Sequence, residues 1–380
     1  MKYRLEVLTP TLVGDGSALA PIDYMVWKDQ VNVLDQKRIF RLLAKGSRLD
    51  SYLTQVKKAD KLDFASWGGF AQNYAGRRIP FDHPNYTQYW ERLRAEFCFI
   101  PTFAASTAGQ YLPGSALKGA LRTALVAASA DERTLEAAQG QRRPGEAFEA
   151  RALHRERPGT DVLKSLGIGD SRPVDAVAFR VYMIRTAVLV EMRPPQKGIG
   201  LGWKQAPRGA VDSRRIEEST PMFAEMAQPG LSFEGAWDEK EFYRQPDVLR
   251  ALRWQAPATR QRLLEAANSY ARTALAAHRR FAASTGITPL LRTLDQLDRA
   301  LEQAVGQGDS CLVILGWGTG LYGKAGWLRF DDENCRRLLA QQPEYARALR
   351  TGLPFPKTRQ IVFAGNQPSA LPGWCRLTVG

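Results

Sequence analysis

The residues of this chain best suited to chemistry gather in one stretch, GWGTGLYGKAG, from Gly316 to Gly326. Gly318 to Lys324 reads G-x-x-x-x-G-K, the opening of a phosphate-binding loop, and Gly318 to Gly323 reads G-x-G-x-x-G, the dinucleotide fingerprint. A nucleotide hydrolase would need Ser or Thr after the lysine to hold magnesium, then a helix whose N-terminus faces the phosphates. Here Lys324 is followed by Ala325, GWLRF reads as a strand or turn, and no apolar strand ending in Asp supplies a second metal ligand. A dinucleotide site would need a helix directly after the loop and an acidic residue about 20 positions on. Asp331 and Asp332 come too early for that. The chemistry that survives is recognition: glycines bring backbone amides close to a ligand, and Trp317, Tyr322 and Lys324 stand among them. That set suits the sugar-phosphate chain of a single-stranded nucleic acid, whose bases stack on aromatics. A glycine-rich turn at a strand end has the same spelling.

Elsewhere the sequence signals no metal or acid-base centre. His83, His154 and His278 lie in three kinds of segment with no paired-ligand spacing. Cys98, Cys311, Cys335 and Cys375 are far apart and form no C-x-x-C pair, which argues against zinc or a disulfide framework and fits a reducing cytoplasm. No metal and no cofactor are expected. Lys and Arg number 53 against 39 Asp and Glu, a formal charge of +14, so a polyanion is the first partner to consider. The opening MKYRLEVLTPTLVGDGS alternates apolar and polar residues, unlike the continuous apolar block of a signal peptide. No apolar run approaches the ~20 residues that cross a bilayer. A soluble, cytoplasmic protein with no membrane partner is expected.

The elements that must position these residues are mixed. Lys2 to Leu8 alternates as a strand, and TPTLVGDGS then supplies a loop with Gly14, Gly16 and Ser17, either a ligand loop or a plain turn. Asp35 to about Leu53 is helical, and the aromatic stretch FASWGGFAQNYAGRRIPFDHPNYTQYW reads as an elaboration rather than core. In YLPGSALKGALRTALVAAS, Pro113, Gly114 and Ser115 signal a helix start, and Leu117, Leu121, Ala124 and Leu125 recur at helical spacing. Free amides at that start could receive a phosphate. Lys118 and Arg122, four apart, share one face as a cationic ridge or as a solvated basic face. Asp131 to about Pro158 is charged, with little apolar periodicity, and reads as a mobile excursion.

Two strands, in DAVAFRVYMIRTAVLVEMRPP and LSFEGAW, are separated by QKGIGLGWKQAPRGAVDSRR, a glycine and basic connection that carries Trp203 and Lys204. About Val248 to Phe281 and Pro289 to Val305 are helical, CLVILGWG is a strand into the glycine loop, and a helix spans about Glu333 to Leu349. In PFPKTRQIVF, Lys357 and Arg359 could lie along a phosphate track or pin a terminal strand to an acidic partner. A strand WCRLTV follows. Without regular β-α-β alternation, the fold class is α+β.

Three stretches together, TPTLVGDG, YLPGSALKGALRTAL and LGWGTGLYGKAG, resemble the RAMP superfamily of CRISPR effector proteins. With DVLKSLGIGDSRP and PFPKTRQIVF, the resemblance is best to the RAMP subunit at the crRNA 3′ end of type III-A (Csm) complexes. It implies two ferredoxin-like, modified RNA-recognition-motif domains: 1–240, with insertions at about 35–105 and 131–160, and a helical plus RRM-like domain over 241–380. It further implies a noncatalytic subunit in antiviral defence that holds the single-stranded 3′ portion of the crRNA and caps the filament of backbone subunits. Host 3′-trimming nucleases would associate with it for crRNA maturation. The glycine loops, the Lys118 helix, Trp203, Lys204, Lys357 and Arg359 would be its RNA contacts. Ala325 departs from the Ser or Thr often found in the loop, and GIGDS replaces a more usual V-S-D-S. Two other readings stay open. One is a RAMP endoribonuclease using Asp15, Asp23 or Asp170, and the other a scaffold that contacts acidic proteins.

Overall fold

The computed structural model describes residues 1–44, 48–58, 61, 73–155, 159–192, 198–205 and 212–380. Alternation in KYRLEV puts Tyr3, Leu5 and Val7 on one face, and all three are buried in a five-stranded antiparallel sheet. The Lys2–Val7 strand is its centre, pairing with Ser232–Glu239 on one side and Trp374–Val379 on the other. Leu166–Ile168 and Ser310–Ile314 form the edges. This sheet therefore joins strands from both sides of residue 240.

The Phe179–Glu191 strand is buried over most of its 13 residues, which is why its sequence runs apolar with little alternation. It is the axis of a second, six-stranded sheet. Thr358–Ala364 pairs along one edge of it, while Met222–Ala227 and then Ile199–Lys204 pair along the other. Long helices cover the sheets. Gly114–Ser129 buries Leu117, Leu121 and Leu125 against Arg260–Thr285, which also packs on Ser310–Ile314 and Ile199–Lys204. Thr259 caps that second helix by accepting the Arg262 amide, and Gly286 closes it in the left-handed conformation. Thr288–Gln307 follows at once, with Pro289 in its first turn. The α+β class expected from the sequence holds, and no helix among the described residues is long and apolar enough to cross a membrane.

Some local expectations change. The aromatic stretch is core where it is described: Phe81, Tyr86 and Trp90 are buried, and Tyr86 Oη donates to the Phe363 carbonyl at 2.7 Å. Ala75–Pro80 forms a three-stranded sheet with Tyr24–Trp27 and Gln30–Leu34. Residues 62–72 of that stretch lie outside the described residues. The charged excursion is two short helices, Glu132–Ala138 and Pro144–Ala152, which bury Leu135, Ala138 and Phe148. Asp131 and Thr134 close a capping box on the first, and Pro144 opens the second. Helices this short bury only two or three side chains each, so a long apolar period never develops. The basic connection after Phe179–Glu191 contains the paired strand Ile199–Lys204, with 193–197 and 206–211 outside the described residues. The last predicted helix divides into Glu333–Ala340 and Pro343–Leu349, because Pro343 cannot donate inside a continuing helix.

Candidate nucleic-acid interface

The two glycine loops read from the sequence meet in space. The Ser310–Ile314 strand delivers the later loop beside the one that follows Lys2–Val7, and the Trp317 amide donates to the Leu12 carbonyl at 2.8 Å. Gly316, at φ 81°, permits that approach: a Cβ there would lie 2.0 Å from the same oxygen. Two cavities flank the junction. One, of about 670 Å³, is lined by Gly14, Gly16 and Ser17, by the small residues Ala116 and Gly119 of the Gly114–Ser129 helix, and by Trp317 and Lys324. The other, of about 390 Å³, lies between the two sheets and shares Trp317 and Lys324 with the first. Gly318, Gly320, Tyr322, Lys204 and Arg359 also line it.

These groups differ in what they offer. Lys324 and Gly320 are exposed, Trp317 is half-buried, and Lys204 and Lys357 are half-buried at the ends of their strand segments. Tyr322 is buried against the His278 ring at 4.9 Å and the edge of Phe330, so it is a wall and not a free stacking platform. Arg359 is buried too: Nε donates to His278 Nδ1 at 3.0 Å, an Nη donates to the Pro356 carbonyl at 2.7 Å, and the guanidinium lies 4.7 Å from the centres of the Phe281 and Tyr322 rings. Burial pulls its pKa down to about 10. Burial, then the neighbouring Arg359 charge, holds the His278 imidazole well below the usual histidine range, so His278 is neutral and can accept that bond.

The Gly114–Ser129 helix does not present the cationic ridge expected of it. Its first amide, on Gly114, already donates to Asp170 Oδ1 at 2.8 Å, and a Cβ on Gly114 would lie 2.4 Å from the Ile168 carbonyl oxygen. Ser115 is exposed beside it. Lys118 Nζ donates to the Leu166 carbonyl at 2.7 Å, with burial lowering its pKa, and Arg122 pairs with Glu149 at 2.7 Å and Asp161 at 2.6 Å. Both cations point at the Leu166–Ile168 strand and the short helices, so the PGSALKGALR signature clamps the fold together. Trp203 is likewise core, 2% exposed and edge-on to Phe363.

The three aspartates are each engaged on a different turn. Asp15 is exposed and accepts the Ser17 amide at 2.9 Å, a bond that holds its carboxyl below the usual range. Asp23 accepts the Ala20 amide at 2.8 Å, and Asp170 caps Gly114. Among the described residues, His, Cys, Asp and Glu form no cluster of three able to hold a metal. Sequence reading missed Thr186 and Gln360 in the cavity wall, which face each other across the ladder between Phe179–Glu191 and Thr358–Ala364. It also missed His278 as the partner of Arg359. The one signal was the helical spacing of His278 and Phe281, which puts both against that guanidinium.

Comparison with solved structures shows a common fold over the whole chain. A chain of the cryo-EM structure of a Csm-crRNA-target RNA ternary complex in a type III-A CRISPR-Cas system matches with a TM-score of 0.61 at 18% identity, covering 99% of this chain and 100% of that one. The crystal structure of T. onnurineus Csm5 matches with a TM-score of 0.60 at 17% identity, again over 99% and 100%. A search of curated proteins found no match. The family model described as the RAMP superfamily matches residues 4–232, more than half of the chain. With its two large antiparallel sheets and paired glycine loops, this chain belongs to the RAMP superfamily.

Proposed function

We propose that this chain is a noncatalytic crRNA-binding subunit of a type III-A (Csm) interference complex. In this reading it caps the backbone filament at the crRNA 3′ end and supports 3′-end maturation by recruiting host nucleases. The observation that carries it is the likeness of fold, end to end, to a chain of a Csm-crRNA-target RNA complex. The surface where the glycine loops meet supports it further. Gly14, Gly16 and Ser17, then Trp317, Gly318, Gly320, Lys324 and Lys204, line two adjoining cavities and offer amides, an aromatic edge and cations to a sugar-phosphate chain. Asp23 and Asp170 act as a turn cap and a helix cap, which favours a binding role over hydrolysis.

The test is co-expression with a type III-A complex from the same source, followed by sizing of the bound crRNA with and without this subunit. Longer or heterogeneous 3′ ends in its absence are expected. Unchanged guide length with lost target cleavage would overturn the reading in favour of a ribonuclease.

A further inference from the structure

Arg359 is an uncommon residue to find in a protein interior. It is 8% exposed, and its partners among the described residues are neutral: the His278 imidazole, the carbonyls of Pro356 and Thr358, and the Tyr322 hydroxyl. A buried cation without a counter-ion is costly, and it is relieved when an anion arrives beside it. The cavity that Arg359 lines holds two more cations, Lys204 and Lys324, and no ion pair to either is found among the described residues. Gln360, in the same wall, has a buried Oε1 that no donor among the described residues reaches. At about 390 Å³ the space is that of a small-molecule site. Trp317 and Tyr322 supply aromatic wall.

We infer that this cavity is an anion site for one phosphate-bearing nucleotide, with its phosphate on Arg359 and Lys204 and a donor of its base or ribose on Gln360 Oε1. With Arg359 Nε and one Nη already donating to His278, Pro356 and Thr358, its other Nη and the flexible Lys204 ammonium are the groups a phosphate monoester would take, each in a charge-assisted bond. The inference deepens the RNA-binding reading and rests on it only for the source of the ligand, which is a free mononucleotide or the phosphorylated end of an RNA strand.

The experiment is calorimetric titration of the full chain with adenosine 3′-monophosphate and with inorganic phosphate. Competition follows from a short linear RNA ending in a 3′-phosphate, and circular single-stranded RNA is titrated separately. The nucleotide binds and raises the thermal midpoint. Lys204→Ala weakens it about ten-fold or more. Gln360→Leu, which leaves Arg359 in place, weakens the nucleotide but not inorganic phosphate. Competition by the phosphorylated RNA identifies a strand end as the source, and its absence identifies the free nucleotide. Circular RNA that binds while the nucleotide does not would overturn the inference and leave the RNA-binding reading standing. Nucleotide binding without circular-RNA binding would support the cavity site and count against the broader reading. Undiminished nucleotide binding by both variants would also overturn the inference.

Discussion

Single residues carry more of this site than their exposure advertises. Gly316 is where the two loops touch, and even one methyl there would collide with the Leu12 carbonyl while the backbone stays at positive φ. Gly316→Ala is expected to cost about 2–4 kcal/mol in a denaturant melt, combining backbone strain with overpacking. His278 sets a pH limit. The folded protein keeps it neutral, so below the unfolded pKa near 6.5 the unfolded chain takes up a proton that the folded chain refuses. That share of stability is fully present above about pH 6.5 and is lost as pH falls, at up to about 1.4 kcal/mol per pH unit. Melts of the wild type and His278→Gln at pH 7 and pH 5.5 check it, the variant showing the flatter dependence. A buried Arg-His contact of this kind is invisible in a sequence, because Arg359 reads as one more cation of a basic chain until strand alternation and helix packing turn it inward.

At the scale of elements, the Gly114–Ser129 helix is the clearest case of a motif read correctly in position and differently in role. Its start, its apolar stripe and the shared face of Lys118 and Arg122 all follow from spacing. What spacing withheld was the neighbour on that face, since Glu149 and Asp161 come from segments too short or too irregular to place by periodicity. Arg122→Ala is therefore expected to destabilise the fold by about 1–3 kcal/mol, taking the paired cation from half-buried Asp161 and leaving Glu149 with Arg155 alone. The salt dependence of RNA binding should not change. Burial works to raise the Asp161 carboxyl, but hydrogen bonds from Arg122 and the Leu163 amide outweigh it and leave the pKa lowered. Its contribution is present above the unfolded pKa near 3.9 and is lost as pH falls through the folded value. Acid melts of Arg122→Ala should show a shallower loss in that range. The same limit explains the aromatic stretch. Tyr86 and Trp90 reach the core through pairing with distant segments, for which local composition holds no signal.

For the molecule as a whole, the α+β class and the presence of two glycine loops were legible, because glycine, aromatic and charge patterns are local; that the two loops meet was not. The division of the chain into layers was not, because sheet partners are chosen by long-range packing. If the junction carries RNA, changing Lys204 and Lys324 together to Ala removes two phosphate contacts. The slope of log K against log salt should then become shallower by about 1.4 in titrations with single-stranded RNA. The five-stranded sheet has one more consequence. Its central strand, Lys2–Val7, takes Trp374–Val379 as a neighbour, and the Trp374 amide reaches the Thr9 hydroxyl across 365 positions of sequence. A ribosome therefore releases the first strand long before its partner exists, and the nascent chain must carry an open, hydrogen-bond-hungry edge through most of its synthesis. Prematurely terminated chains should fail as insoluble products rather than as smaller folded ones, so only completed copies should accumulate in the soluble fraction.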